Sequence, residues 1–327
     1  MKRRNLLVGA LVASLGLATA AAAQTEIKFG HVGEPGSLMD LSATEFAKRA
    51  NEKLGDQGKV IVYGSSQLGN DKAMLQKLKL GTVDLALPSS IMSTMVSEFG
   101  LFEMPYLVQS RDHMARISEE IVMPTLVPKA EEAGYHVIGV WENGFRQITN
   151  NRHPIVTPAD LKGIKLRVPG SEWRVKMFES YGASPSPMAF SEVFVGLQTG
   201  VMDGQENPYA QIYPARFYEV QKYLSISNHV YTPGYVTAGR SFSKFSPEVQ
   251  QILTETAQEM QPVVYEIAAR LDTELLDKLK EAGMEVNEVD LQAFIDASAP
   301  VYEEFANSVE GGAELVEQAR NLAPATN

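Results

Sequence analysis

Apolar and polar positions along this chain follow two periods. Glu26 to Val32 alternates with period two and then meets Gly33, Pro35 and Gly36, which predicts a strand running into a turn. After Ser37, the apolar residues Met39, Ala43, Phe46, Ala47, Ala50 and Leu54 recur at three- and four-residue spacing, the mark of one buried face on an amphipathic helix. Lys59 to Tyr63 is again strand-like. Strand, helix and strand in this order predict a parallel pair joined by a right-handed crossover. The pattern repeats with a helix over Asp71 to Leu80, stopped by Gly81, and a short apolar strand at Val83 to Leu87. A helix over Arg111 to Ala133, interrupted at Pro124 and Pro128, and a strand at Tyr135 to Trp141 complete a first half that reads as doubly wound α/β.

A second α/β unit follows. Thr157-Pro158-Ala159-Asp160 starts a short helix, with threonine as N-cap and proline at the first helical position, and Gly163 ends it. Ile164 to Val168 is a strand, and Ser171 opens a helix carrying Trp173, Met177 and Phe178. Phe190, Val193, Phe194 and Leu197 stand at i, i+3, i+4 and i+7 on one face. Strand-like segments between Tyr223 and Ala238 mark where the chain recrosses between the two units. Ser246-Pro247-Glu248 then caps a helix whose apolar stripe includes Val249, Leu253, Met260, Val264 and Leu271 and which runs to Gly283. At about 37 residues it is roughly 55 Å long, enough to lie across both units, and Pro262 is expected to kink it. Leu291 to Phe305 and Ala313 to Leu322 are predicted terminal helices.

The first residues form a targeting segment: Lys2, Arg3 and Arg4, an apolar run from Leu6 to Leu17, and Ala21-Ala22-Ala23, with cleavage expected after Ala23. No later stretch approaches the roughly 18 uninterrupted apolar residues of a spanning helix, so the mature chain is expected to be exported, periplasmic and not inserted in the membrane. The formal charge of −11 becomes −14 without the three basic leader residues, which excludes nucleic acid and anionic membranes as expected partners. The chain has no cysteine, so disulfides, thiolate catalysis and cysteine-ligated metals are excluded. The five histidines show no paired metal-ligand spacing, and no P-loop, G-x-S-x-G or G-x-G-x-x-G motif is present. No metal or cofactor is expected.

The chemistry concentrates between Trp141 and Tyr209. Arg146 and Arg167 stand at strand ends, and Asn207 closes the turn Asp203-Gly204-Gln205-Glu206-Asn207-Pro208. A guanidinium fork matches a carboxylate in two parallel hydrogen bonds, so the pair suggests recognition of a small carboxylate. Pairing of both arginines with nearby acids such as Glu142 or Glu172 is the alternative. Arg167 is the better candidate by position, because ligands of parallel sheets gather beyond the carboxyl ends of strands and a helix N-terminus follows it.

F-G-H-V near residue 30, G-S-S-Q-L-G-N-D, G-F-R-Q-I-T-N-N-R, L-K-G-I-K-L-R-V-P, S-P-M-A-F-S-E-V-F-V-G-L-Q-T-G and V-M-D-G-Q-E-N-P together resemble the solute-binding proteins of tripartite ATP-independent periplasmic (TRAP) transporters, the DctP-type family. The resemblance covers essentially the whole mature chain and is most specific from Leu161 to Pro208. It implies a two-lobed periplasmic binding protein fold of α/β class, with hinge strands and a long helix crossing both lobes. The expected lobes are residues 24–144 with about 233–271, and 145–232 with about 272–327. It implies capture of a small organic anion and delivery to TRAP permease membrane subunits. Arg167 would form the salt bridge to the ligand carboxylate, Arg146 and Asn207 would assist, and Phe190 would pack on the ligand. His31, Ser89, Trp173 and Asp71 complete the expected site. Ser89 stands where sialic-acid-binding members carry an acid, which argues against that ligand. Trp141, Phe145, Trp173, Tyr209 and Tyr213 would make the pocket aromatic, favouring a compact keto, hydroxy or aromatic acid or a sugar acid. Two other readings stay open: a periplasmic enzyme using Glu206 or His31, and a ligand sensor for a membrane receptor.

Overall fold

The computed structural model describes residues 25–324, so the expected leader lies outside the described residues. In chain order the strands are β1 (Glu26–Gly30), β2 (Lys59–Tyr63), β3 (Leu85–Ala86), β4 (His136–Phe145), β5 (Gln147–Asn150), β6 (Lys165–Val168), β7 (Ser184–Pro187), β8 (Gly204–Asn207), β9 (Tyr223–Ile226), β10 (Tyr231–Ala238) and β11 (Glu285–Glu288). They form two sheets, ordered β2-β1-β3-β10-β4 and β11-β9-β5-β8-β6-β7. The parallel pairing of β1 with β2 and β3 follows the predicted crossovers. Ser37 starts the first crossover helix, Leu38–Leu54, by accepting a hydrogen bond from the Asp40 N–H at 3.2 Å.

Neither sheet is purely parallel, because two strands are shared out by the crossing segments. The predicted strand at Tyr135–Trp141 continues to Phe145, passes through Arg146, and resumes as β5 in the other sheet. There β5 lies antiparallel to both β8 and β9. The return path runs from β9 through Ser227–Val230 into β10, which is antiparallel to β3 and β4. The two crossings are tied together: the Arg146 N–H donates to the Val230 carbonyl at 3.0 Å, and the Gln147 Oε1 accepts from the N–H groups of Ser227 and Asn228 at 2.9 and 3.1 Å. Gly204 permits the close approach of β8 to β5, since a Cβ there would sit 2.3 Å from the Thr149 carbonyl oxygen.

The long helix Pro247–Glu281 has 35 residues and a length of about 52 Å. Its buried residues include Leu253, Ala257, Met260, Val264 and Leu271, and it packs against β4, the Leu38–Leu54 helix and the Tyr209–Ile212 helix. It therefore spans from the first sheet to the short helix that follows β8. Trp141 anchors it by donating from Nε1 to the Ala257 carbonyl at 2.8 Å. The helix is continuous through Pro262. In the Arg111–Glu132 region, Ser118–Leu126 is π-helical around Pro124. A proline lacks the N–H of the ordinary ladder and collides with the carbonyl four residues back, and a wider turn relieves both.

The C-terminal helix Gly312–Asn321 docks beside the Ser97–Glu103 segment, on the side of the first sheet. His113 donates from Nε2 to the Ala319 carbonyl at 2.7 Å while its Nδ1 accepts from the Gln109 N–H, and Arg116 donates to the Leu322 carbonyl at 2.8 Å. Amphipathic periodicity identified this helix but carried no information about which sheet it would cover.

Candidate functional site

A cavity of about 530 Å³ opens between the two sheets. Asn70, Asp71 and Lys72, the first turn of the Asp71–Leu80 helix with its cap, line one side together with Ser89 and Ser90. Arg167, at the end of β6, lines the other with the Pro187–Phe190 loop and Asn207. Arg146 and Asn143 from the crossing strand, and Gln211 from the Tyr209–Ile212 helix, complete the wall.

Arg167 is 3% exposed and forms no salt bridge among the described residues, although Glu206 and Asp71 lie near enough to favour its charge. Its Nε and Nη2 both donate to the Met188 carbonyl, at 2.9 and 2.7 Å, which fixes the plane of the guanidinium. Five N–H donors in a rigid fork leave the remaining ones without a protein acceptor. Burial, with Arg146 nearby, lowers its pKa to about 10, so it stays charged at neutral pH. A buried cation without a counter-ion is costly, and a carboxylate entering the cavity would remove that cost.

Arg146 also lines the cavity, but its fork is spent on Glu206, with Nε at 2.5 Å from Oε2 and Nη2 at 3.0 Å from Oε1. The acid that holds it is thus Glu206, whereas Glu142 is clamped by Arg111 through two contacts of 2.7 Å. Glu206 is shared further: Arg174 Nη1 lies 2.6 Å and His229 Nε2 3.0 Å from its Oε2. Arg174 reaches on to Glu103 at 2.9 Å. Two arginines and two glutamates balance in charge, and every one of these groups is buried. Burial alone pushes the Glu206 carboxyl up, but Arg146 and Arg174 outweigh it and hold it well below the usual carboxylate range.

His229 is neutral within this network. The Glu206 carboxylate can only accept, so Nε2 carries the proton given to it, and the neutral ring's Nδ1 accepts from Ser227 Oγ at 2.8 Å. Burial lowers the pKa of both His229 and His31 to about 4 from an ordinary 6.5. The sign follows directly: these rings bind protons in the unfolded chain first, so the stability they contribute is complete above about pH 6.5 and is lost as pH falls toward 4. Nitrogen chemical shifts measured between pH 7 and 5 are expected to keep both rings neutral, His229 as the Nε2–H tautomer. Titration of either ring near pH 6.5 would contradict this placement.

Six of the eight expected site residues line the cavity: Arg167, Arg146, Asn207, Phe190, Ser89 and Asp71. His31 and Trp173 do not. His31 is fully buried behind the wall, with its Nε2 3.9 Å from Asp40 and its ring against Gly64. Trp173 is 1% exposed and packs edge-on against Phe305, over Gly100. Both are too deep to meet a ligand, because the apolar helix face and the strand end that suggested them turn toward the core. The expected aromatic pocket reduces to Phe190. Trp141 packs between Phe29 and Phe46, Phe145 against Tyr231, and Tyr213 against Tyr218. Ser89 donates its hydroxyl to the Pro233 carbonyl at 2.6 Å. Sequence reasoning missed Asn143, Gln211, Arg174 and Glu103; polar residues inside helices and strands carry no periodic signal that separates a cavity wall from a surface. Among the described residues, no group of three or more acids and histidines is arranged to hold a metal ion.

Two sheets joined by crossing strands, with a buried arginine facing the cleft between them, are the architecture of a two-lobed solute-binding protein. The chain belongs to the DctP family of bacterial extracellular solute-binding proteins, family 7, whose profile matches residues 29–308. It is 34% identical over 321 residues to the 2,3-diketo-L-gulonate-binding periplasmic protein YiaO of Escherichia coli K12, covering 97% of this chain and 98% of that one. It is 32% identical to the C4-dicarboxylate-binding periplasmic protein DctP of Rhodobacter capsulatus, covering 95% of each. A TRAP periplasmic solute-binding protein from Polaromonas sp. JS666, solved with D-erythronate, superposes with a TM-score of 0.88 at 30% identity, covering 93% of this chain and all of the other. The family and these relatives are binding proteins. Among the described residues no helix is long and apolar enough to cross a membrane.

Proposed function

We propose that this protein, exported to the periplasm after loss of its leader, captures a small organic carboxylate at Arg167 and delivers it to the membrane subunits of a TRAP permease without changing it chemically. One observation carries the proposal: Arg167 is buried, charged and unpaired at the wall of the cleft. Phe190 supplies an apolar contact, and Asn207 offers an amide beside the fork. Arg146 acts mainly as a strut, since its donors are engaged by Glu206. The groups an enzyme would use are occupied or remote. Glu206 holds two arginines and a histidine, and His31 is outside the cavity.

A ligand that binds only the folded protein raises its stability by about 2.7 kcal/mol at one hundred times the dissociation constant. A thermal-shift screen is therefore expected to give a concentration-dependent rise with organic acids and none with neutral sugars of equal size. The reverse result would overturn the carboxylate reading. Mass spectrometry of the ligand recovered after incubation is expected to return it intact.

A further inference from the structure

Two hollows lie on opposite faces of the segments that join the sheets. Arg146 lines the ligand cavity, whereas its chain neighbours Phe145 and Gln147 line a groove of about 780 Å³. Side chains alternate along extended chain, so residues one apart face opposite ways. The Tyr209–Ile212 helix repeats the division, with Gln211 toward the cavity and Tyr209 toward the groove. The walls of the cavity already meet at one edge: Ser93 Oγ lies 3.1 Å from Ser171 Oγ, and a Cβ on the exposed Gly170 would lie 3.0 Å from Ile91 Cδ1. A ligand that reaches Arg167 enters by parting these walls. Turning the sheets about the crossing segments opens one hollow and narrows the other.

The groove has two apolar walls carried by different halves of the molecule. Tyr106 and Val108 stand just before the Arg111–Ile117 helix, on the side of the first sheet, while Val289, Leu291 and Ile295 follow β11 on the side of the second. The Leu291–Ala297 helix is fixed to that second side by Phe294, which is buried edge-on against Tyr181. Leu291 and Ile295, about one turn apart, are left lining the groove at 51% and 40% exposed. Large apolar side chains facing an apolar wall are surface that a narrower groove withdraws from water.

Taking capture of a ligand between the sheets as its basis, we propose that this groove is the counterweight of the cleft: in the open, unliganded protein it shuts, burying Leu291 and Ile295 against Tyr106 and Val108, and the area buried there sets how readily the cleft closes on its ligand. Affinity is thus tuned by residues that never touch the ligand. Binding captures the closed state, so apparent affinity rises with that state's population. Weakening the open-state contact tightens binding, and strengthening it weakens binding.

The chain has no cysteine, so spin labels on Gln76→Cys and Glu192→Cys, exposed positions on the two sides of the cleft and outside the groove, report its opening as a distance. In the unliganded mature protein, Leu291→Ala combined with Ile295→Ala is expected to raise the ratio of short to long separations about tenfold. Calorimetry with D-erythronate and succinate is expected to show the same factor of tightening for whichever acid binds. Gln109→Leu, which adds an apolar side chain at an exposed position of the first wall, is expected to lower the ratio and weaken binding about threefold. Melting temperatures near wild type certify that the variants fold. Unchanged separations in both folded variants, or shifts of the same sign in both, overturn the inference and leave the carboxylate reading intact. Opposite shifts in separation, with neutral sugars rather than organic acids raising the melting temperature, overturn the carboxylate reading and leave the role of the groove standing.

Discussion

Arg167→Ala is expected to abolish calorimetrically measurable binding of organic carboxylates. The guanidinium is 3% exposed and so largely desolvated, and the attraction it offers a carboxylate is weakly screened. Removing one partner of such a pair leaves the other charge buried and unpaired, at a cost of about 3–5 kcal/mol, or roughly 150- to 5000-fold in affinity. Arg167→Lys keeps the charge but loses the planar fork and one of the two bonds to the Met188 carbonyl that orient it, so a substantial loss is expected there too. Near-native affinity in the alanine variant, with the fold intact, would remove Arg167 as the anchor.

The second large effect concerns stability. Glu206→Ala leaves Arg146 and Arg174 facing each other across a buried site with only Glu103 to compensate, and takes the acceptor from His229. Breaking a buried charge network from one side costs about 3–5 kcal/mol, which for a protein of this size lowers the melting temperature by roughly 5–8 °C. The exposed pair Lys53–Glu259 provides the contrast: Glu259→Ala is expected to cost under about 1 kcal/mol, since both side chains are solvated. Urea unfolding of the two variants measures the difference. Equal and small effects would show that the network around Glu206 is not a stabilising element.

Much of this arrangement was legible in the sequence because period and capping are local properties. The helix at Leu38–Leu54, the crossover to β2, and the placement of Arg167 at a strand end all follow from spacings within a few residues. The limits were non-local. Alternation through Phe145-Arg146-Gln147 does not itself reveal that β4 and β5 belong to different sheets, because a strand that changes sheets keeps the same dihedral angles; only the resemblance put a lobe boundary at residues 144–145. Glu206 was visible as one acid in a polar turn. Its convergence with Arg146, Arg174 and Glu103 depends on four separate elements, and no spacing encodes it. Trp173 and His31 erred in the opposite direction: each has chemistry suited to a ligand, but a bulky ring on an apolar helix face and a histidine at a buried strand end are core positions by their burial.

The pairing of β5 with β9 has an engineering consequence. Asn150 stands opposite Tyr223 in that ladder, so the two ends of the intervening segment, which supplies β6, β7 and β8 of the same sheet, lie at adjacent points. Residues 151–222 form one excursion that contains Arg167, Phe190, Asn207 and Gln211, while Asp71 and both crossing segments stay outside it. Exchanging that excursion between relatives at a single pair of neighbouring splice sites would transplant the carboxylate anchor into a host that keeps its own hinge and its own Asp71 side of the cleft. Chimaeras cut at this point show which side of the cleft sets ligand preference.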